Sequence, residues 1–180
     1  MVSFLKLIRY KNLLMVLLTL VLTKYALIES YKPESFLSTL HFLILAISIL
    51  CITAGGYIIN DVFDIETDKI NKPNKVFIGN TISKLNATIS YFIITFIGLI
   101  LGVYLSFEVH VPTISFIFIG TVIGLYLYSR IFKRLLLIGN LITSFFIGLT
   151  IITLYIFETN HSNIDLSLLK ALKGLFNSIS

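Results

Sequence analysis

The 180-residue chain is 57% apolar and 13% charged, with a mean hydropathy of +0.96; that is too little charge for a soluble globular domain and fits a membrane protein. Its formal net charge of +5 reads as cytoplasmic loops against anionic lipid and gives no reason to invoke nucleic acid. The single Cys51 sits inside an apolar run, which excludes a disulfide framework.

The chain opens with Lys6, Arg9 and Lys11, followed by an apolar run at residues 13–28. The run is longer than a signal-peptide core and has no small-residue cleavage site, so a retained first helix is expected. Lys24 lies near its end, placed to snorkel. Further apolar runs cover residues 36–59, 87–107, 111–128 and 135–157. Backbone groups in lipid must be satisfied within their own segment, so these are helices. The expected fold is therefore all-α: a polytopic transmembrane bundle of about five spanning helices in a single membrane domain. Residues 60–84 form an Asp-rich loop between the second and third spans. Residues 158–180 form an outer polar loop followed by either an amphipathic surface helix or part of a further span.

Lysine and arginine set the orientation. Lys6, Arg9 and Lys11, then Lys69, Lys72, Lys75 and Lys84, then Arg130, Lys133 and Arg134 fall on one side if all five helices span. The opposite connections hold Lys32 with Glu29 and Glu34, then Glu108 with His110. The bias places the N-terminus and the Asp-rich loop in the cytoplasm, in an integral membrane protein of the plasma membrane.

The stretch from Asn60 to Asp68 holds Asp61, Asp64, Glu66 and Asp68, four of the chain's nine acids. Asp61, Asp64 and Asp68 are spaced i, i+3, i+7, which on a helix lines them along one face with Asn60 beside them. With no His or Cys beside them, the ligand set is oxygen only and suits a hard cation such as Mg2+. Because Mg2+ keeps room for water and phosphate oxygens, the three aspartates read as a half-site for a magnesium-bound diphosphate. The competing reading is a solvated helix end at the membrane surface. Lys72 and Lys75 follow directly, in a loop shaped by Pro73 and Gly79. They serve either to hold the outer phosphate oxygens or as the positive-inside signal.

Asn60-Asp61-x-x-Asp64-x-x-x-Asp68, followed by Lys69-Ile70-Asn71-Lys72-Pro73, resembles the first aspartate motif of the UbiA family of membrane prenyltransferases. Tyr128-Ser129 with Lys133, and the Gly139-Asn140 pair, resemble a second family segment around the fourth and fifth helices. Arg9-Tyr10-Lys11-Asn12 stands where many members have Arg-Pro-x-Asn. The resemblance implies a nine-helix bundle around a central cavity open to the cytoplasm. In that fold an allylic prenyl diphosphate is bound through Mg2+ by two aspartate motifs. Asp61, Asp64 and Asp68 would be the catalytic metal-ligating residues, and Asn60, Lys72, Lys75, Lys133, Arg9 and Asn140 the substrate-binding set.

The chain departs from this pattern beyond Asp68, where only Glu108, Glu158 and Asp165 remain as acids. The expectation is about the first half of the family fold, one of two aspartate motifs, and an implied C-terminal half as partner. The implied reaction is Mg2+-dependent transfer of a polyprenyl group to a lipid acceptor, geranylgeranylglyceryl phosphate, as in ether-lipid synthesis. The alternatives are an aromatic acceptor such as 4-hydroxybenzoate, as in quinone synthesis, or an inactive truncated membrane protein. Gly55-Gly56 read as helix-packing positions or as an unwound turn at the site, Gly98 with Gly102 as packing positions, and Tyr126 and Tyr128 as an interfacial belt or, alternatively, as lining of the substrate cavity. Asn140, an amide within the fifth span, needs a polar partner, and the motif helix is a candidate.

Overall fold

The computed structural model describes residues 2–31, 37–71, 78–79 and 81–158. They form a helical bundle: α1 (Val2–Leu7), α2 (Tyr10–Leu22), α3 (Glu29–Tyr31), α4 (Thr39–Asn71), α5 (Lys84–Glu108), α6 (Ser115–Arg130) and α7 (Leu136–Glu158). A π-helical segment, Thr23–Ile28, joins α2 to α3. Short 3-10 turns, Pro112–Ile114 and Phe132–Arg134, precede α6 and α7. Five helices are long and apolar enough to cross a membrane: Tyr10–Ile28, Thr39–Ile70, Lys84–Glu108, Pro112–Arg130 and Gly139–Glu158. There is no strand among the described residues beyond an isolated bridge between Ile78 and Ile82. That bridge encloses Gly79, whose φ of +97° is open to glycine at little cost.

The spans are apolar outside as well as inside. Phe92, Phe96, Ile100 and Phe107 stand exposed on α5, as a lipid-facing stripe must. Inside, α4 is the central post. Gly55 lets Thr95 of α5 approach so closely that a Cβ there would lie 2.1 Å from its Oγ1. One turn away, Ser48 Oγ donates to the Gly98 carbonyl at 2.6 Å. Gly102 makes room for the Phe118 ring of α6. These contacts place Gly55, Gly98 and Gly102 at close helix crossings, the role small residues take in membranes. Gly56 faces Leu125 of α6 in the same way.

Two features differ from the reading of the apolar runs. First, α4 does not stop near residue 59 but continues through the aspartates to Asn71. Hydropathy reports where lipid ends, not where backbone hydrogen bonding ends. The buried stripe Ile58, Val62 and Ile65 carries on past the boundary, packing beside Leu7 of α1 and Ala87 and Tyr91 of α5. At 33 residues, α4 is about 50 Å long against an apolar core of about 30 Å, which leaves its charged end outside the hydrocarbon. Second, Lys24 does not snorkel and Glu158 is not in an outer loop. Lys24 is 2% exposed and pairs with Glu158, the buried last residue of α7. Its ammonium also donates to the Leu37 carbonyl at 3.2 Å and lies 3.6 Å from Glu29. The π-segment redirects this turn inward, where charge and carbonyl partners replace water. Residues 159–180, Lys72 and Lys75 lie outside the described residues.

Candidate functional site

Three separate elements meet at the charged end of α4. The helix itself presents Asn60, Asp61 and Asp64. The α1–α2 junction presents Arg9, and the 3-10 turn between α6 and α7 presents Lys133. Arg9 Nη2 donates to Asp61 Oδ1 at 2.8 Å, and its guanidinium lies 5.1 Å from the centre of the Tyr57 ring, a cation–π contact. Lys133 Nζ donates to Asp64 Oδ1 at 2.6 Å and lies 3.4 Å from Asn60 Oδ1. Asn60 Nδ2 in turn donates to Asp64 Oδ2 at 3.1 Å. Each of the two carboxylates thus has its own cation, and Asn60 braces the Lys133–Asp64 pair from both sides.

The backbone of Arg9 is left-handed (φ 52°, ψ 54°), unusual for a side chain with a Cβ. It breaks the helix between α1 and α2, and its carbonyl starts α2 by accepting from Asn12 N at 2.8 Å. Leu7, fully buried, anchors α1 on the other side of this kink. The sequence therefore folds so that Arg9 points at α4 instead of following either helix.

Asp68 stands one turn beyond Asp64, half-buried. Among the described residues no three acid, His or Cys side chains converge on one ion. The donors are all hard oxygens, which fits a divalent cation shared with phosphate oxygens and not a closed protein cage. Lys69 turns away to pair with Glu66 at 3.0 Å on the exposed surface. Asn140 is exposed near the start of α7, without a hydrogen bond to α4 among the described residues.

Beneath this polar cluster a cavity of about 520 Å³ opens between α2, α4, α6 and α7, with Arg9, Asn60 and Tyr57 at its mouth. Along α4 it runs from Asn60 to Ile49, about 16 Å by helical rise. Six threonines line it, yet five of them, Thr19, Thr121, Thr143, Thr150 and Thr153, donate to carbonyls four residues back. Their hydroxyl protons are spent on their own helices, so the walls suit hydrocarbon. Sequence reasoning did not find these threonines or Tyr57. The usable signal was the spacing Thr53, Gly56, Asn60, which puts three non-aliphatic residues on the motif's own face. Tyr128 lines the cavity, the alternative to an interfacial belt, while Tyr126 packs edge-on against Phe63.

Residues 13–176 match the profile of the UbiA prenyltransferase family. The chain belongs to this family. Over 103 residues this UbiA chain is 41% identical to a digeranylgeranylglyceryl phosphate synthase of Sulfurisphaera tokodaii, covering 57% of the chain and 35% of the relative. Over 137 residues it is 33% identical to the Methanococcus aeolicus protein of the same name, covering 75% and 46%. A solved structure from a study of "Digeranylgeranylglyceryl phosphate synthase in membranes" superposes with a TM-score of 0.72 at 26% identity, over 88% of this chain and 53% of that one. The chain thus spans between 35% and 53% of the length of these UbiA relatives.

Proposed function

We propose that the chain is the diphosphate-binding part of an intramembrane prenyltransferase that transfers a polyprenyl group from an allylic prenyl diphosphate to geranylgeranylglyceryl phosphate. The observation that carries this reading is a cluster of paired cations and carboxylates at the mouth of a deep cavity whose walls suit hydrocarbon. The acceptor is inferred from the names of the relatives. In the reaction the allylic C–O bond breaks and its electron pair leaves with diphosphate. The acceptor's hydroxyl oxygen forms the new ether bond and releases its proton.

Each side chain has a part in this reading. Arg9 and Lys133 exchange their carboxylate partners for phosphate oxygens, gaining charge-assisted hydrogen bonds. Asp61, Asp64 and Asp68 are then open to a divalent cation, and Asn60 holds the orientation of Asp64. When bound, Mg2+ would be held by Asp61, Asp64 and Asp68 and would supply positive charge toward the leaving diphosphate. Lys72 and Lys75 belong to the same phosphate-facing set by sequence position. Asn140 stands apart in the fold, and its substrate role is proposed on resemblance alone. The second aspartate motif is supplied by polypeptide outside these 180 residues. The basic clusters around Lys6, Lys69 and Arg130 support a cytoplasmic mouth in the plasma membrane.

The test is binding of geranylgeranyl diphosphate to the purified protein in nanodiscs, with and without Mg2+. Binding should require Mg2+, and Asp64→Ala should weaken it by about 100-fold, the scale of losing one well-placed charge-stabilising group. Binding that ignores both Mg2+ removal and Asp64→Ala would overturn the proposal.

A further inference from the structure

We infer that Tyr57 is a positioning residue: its ring keeps the Arg9 guanidinium at the cavity mouth when Arg9 gives up Asp61. The inference rests on the proposed diphosphate reading, because that reading asks Arg9 to exchange Asp61 for phosphate oxygens. Tyr57 and Asp61 stand four residues apart on α4, so ring and carboxylate share one face of the helix. One guanidinium reaches both. It donates to Asp61 Oδ1 at 2.8 Å and lies 5.1 Å from the centre of the Tyr57 ring.

Arg9 has need of such a hold. Its side chain is 43% exposed, and an arginine has many rotamers; ordering them at the moment of binding lowers affinity. The ring attracts the guanidinium through its quadrupole, without formal charge, so it is not a partner that a divalent cation takes away as it takes a carboxylate. A cation–π contact also needs no N–H donor, which leaves the donors of the guanidinium to phosphate oxygens. The other cation of the site is held in the same manner. Lys133 has one charged partner, Asp64 Oδ1 at 2.6 Å, and neutral contacts four residues earlier on α4, the side-chain and backbone oxygens of Asn60 at 3.4 and 3.5 Å. Tyr57 with Asp61 and Asn60 with Asp64 thus repeat one arrangement: a carboxylate, and one turn before it a neutral group in contact with the same cation.

Tyr57 also lines the cavity, so the test must separate a brace for Arg9 from a wall for a hydrocarbon tail. Wild-type protein, Tyr57→Leu, Tyr57→Met and Tyr57→Phe are prepared in nanodiscs with Mg2+, each alone and combined with Arg9→Ala or with Lys133→Met. Binding is measured for geranylgeranyl diphosphate and for inorganic diphosphate, a head group without a tail.

Tyr57→Leu and Tyr57→Met should each weaken both ligands by about three- to fivefold, the size of a cation–π contact at a partly exposed site. Tyr57→Phe, which keeps the ring, should restore most of that affinity. In the Arg9→Ala background the loss should vanish, whereas beside Lys133→Met it should persist in full. Coupling to Arg9 and not to Lys133 is a pattern that general loosening of the fold does not produce. Equal losses with and without Arg9 would overturn the inference, and so would a loss confined to geranylgeranyl diphosphate, which would make Tyr57 a wall for the tail; either result leaves the proposed function intact. Failure of wild-type protein to bind geranylgeranyl diphosphate would instead overturn the proposed function, and the inference with it.

Discussion

Arg9 combines a left-handed backbone with the ion pair to Asp61. The backbone costs about 1–2 kcal/mol for a residue with a Cβ, so the side-chain contacts must outweigh a local strain. This leads to an order of stabilities that side-chain size would not suggest. Arg9→Gly should melt higher than Arg9→Ala by about 1 kcal/mol equivalent, while both lose diphosphate affinity. Thermal unfolding in detergent checks the first part and ligand binding the second. For the neighbouring pair, a double-mutant cycle on Lys133→Met and Asp64→Asn should give a coupling of about 1–3 kcal/mol, because both side chains are largely buried and 2.6 Å apart. Additivity within error would mean the pair is incidental. The aspartates of this site were legible because carboxylates at helical spacing are rare beside a membrane span, and Arg9 and Lys133 only through the family resemblance. Tyr57 and the threonines were not, since nothing in their own chemistry marks a wall.

At the scale of the element, α4 shows what hydropathy does and does not read. The apolar run located the span and missed the twelve-residue polar extension from Asn60 to Asn71 that carries the site. The extension stays helical because Ile58, Val62 and Ile65 keep one face against α1 and α5. That periodicity was present in the sequence but hidden among acids. The glycines on these helices divide by what they face. Gly55→Val should destabilise by about 1–3 kcal/mol through overpacking against Thr95. Gly120→Ala meets nothing within 4 Å and should be neutral or slightly stabilising. Equal melting temperatures for the two variants would remove the close α4–α5 contact from the account.

For the whole molecule, the number of spans was readable from length and hydropathy, and the cavity was implied by the family resemblance. The ion pair of Lys24 with Glu158 was not readable, because the two are 134 residues apart and each alone resembles a helix-end charge. Losing one partner of a buried pair costs about 3–5 kcal/mol, while replacing both by apolar groups costs little. Lys24→Met should therefore be severely destabilised in detergent melts, and Lys24→Met with Glu158→Leu should recover most of the loss. A double variant as unstable as the single one would show that Lys24 is held by its other partners.

That separation also has a meaning in time. At about 5–20 residues per second of synthesis, the 134 residues between Lys24 and Glu158 take roughly 7–27 s to emerge. For that interval the first span is already made and Glu158 does not yet exist. The Lys24–Glu158 pair can therefore close only after the fifth span has been made, whereas Glu29 and the Leu37 carbonyl are available to Lys24 much earlier.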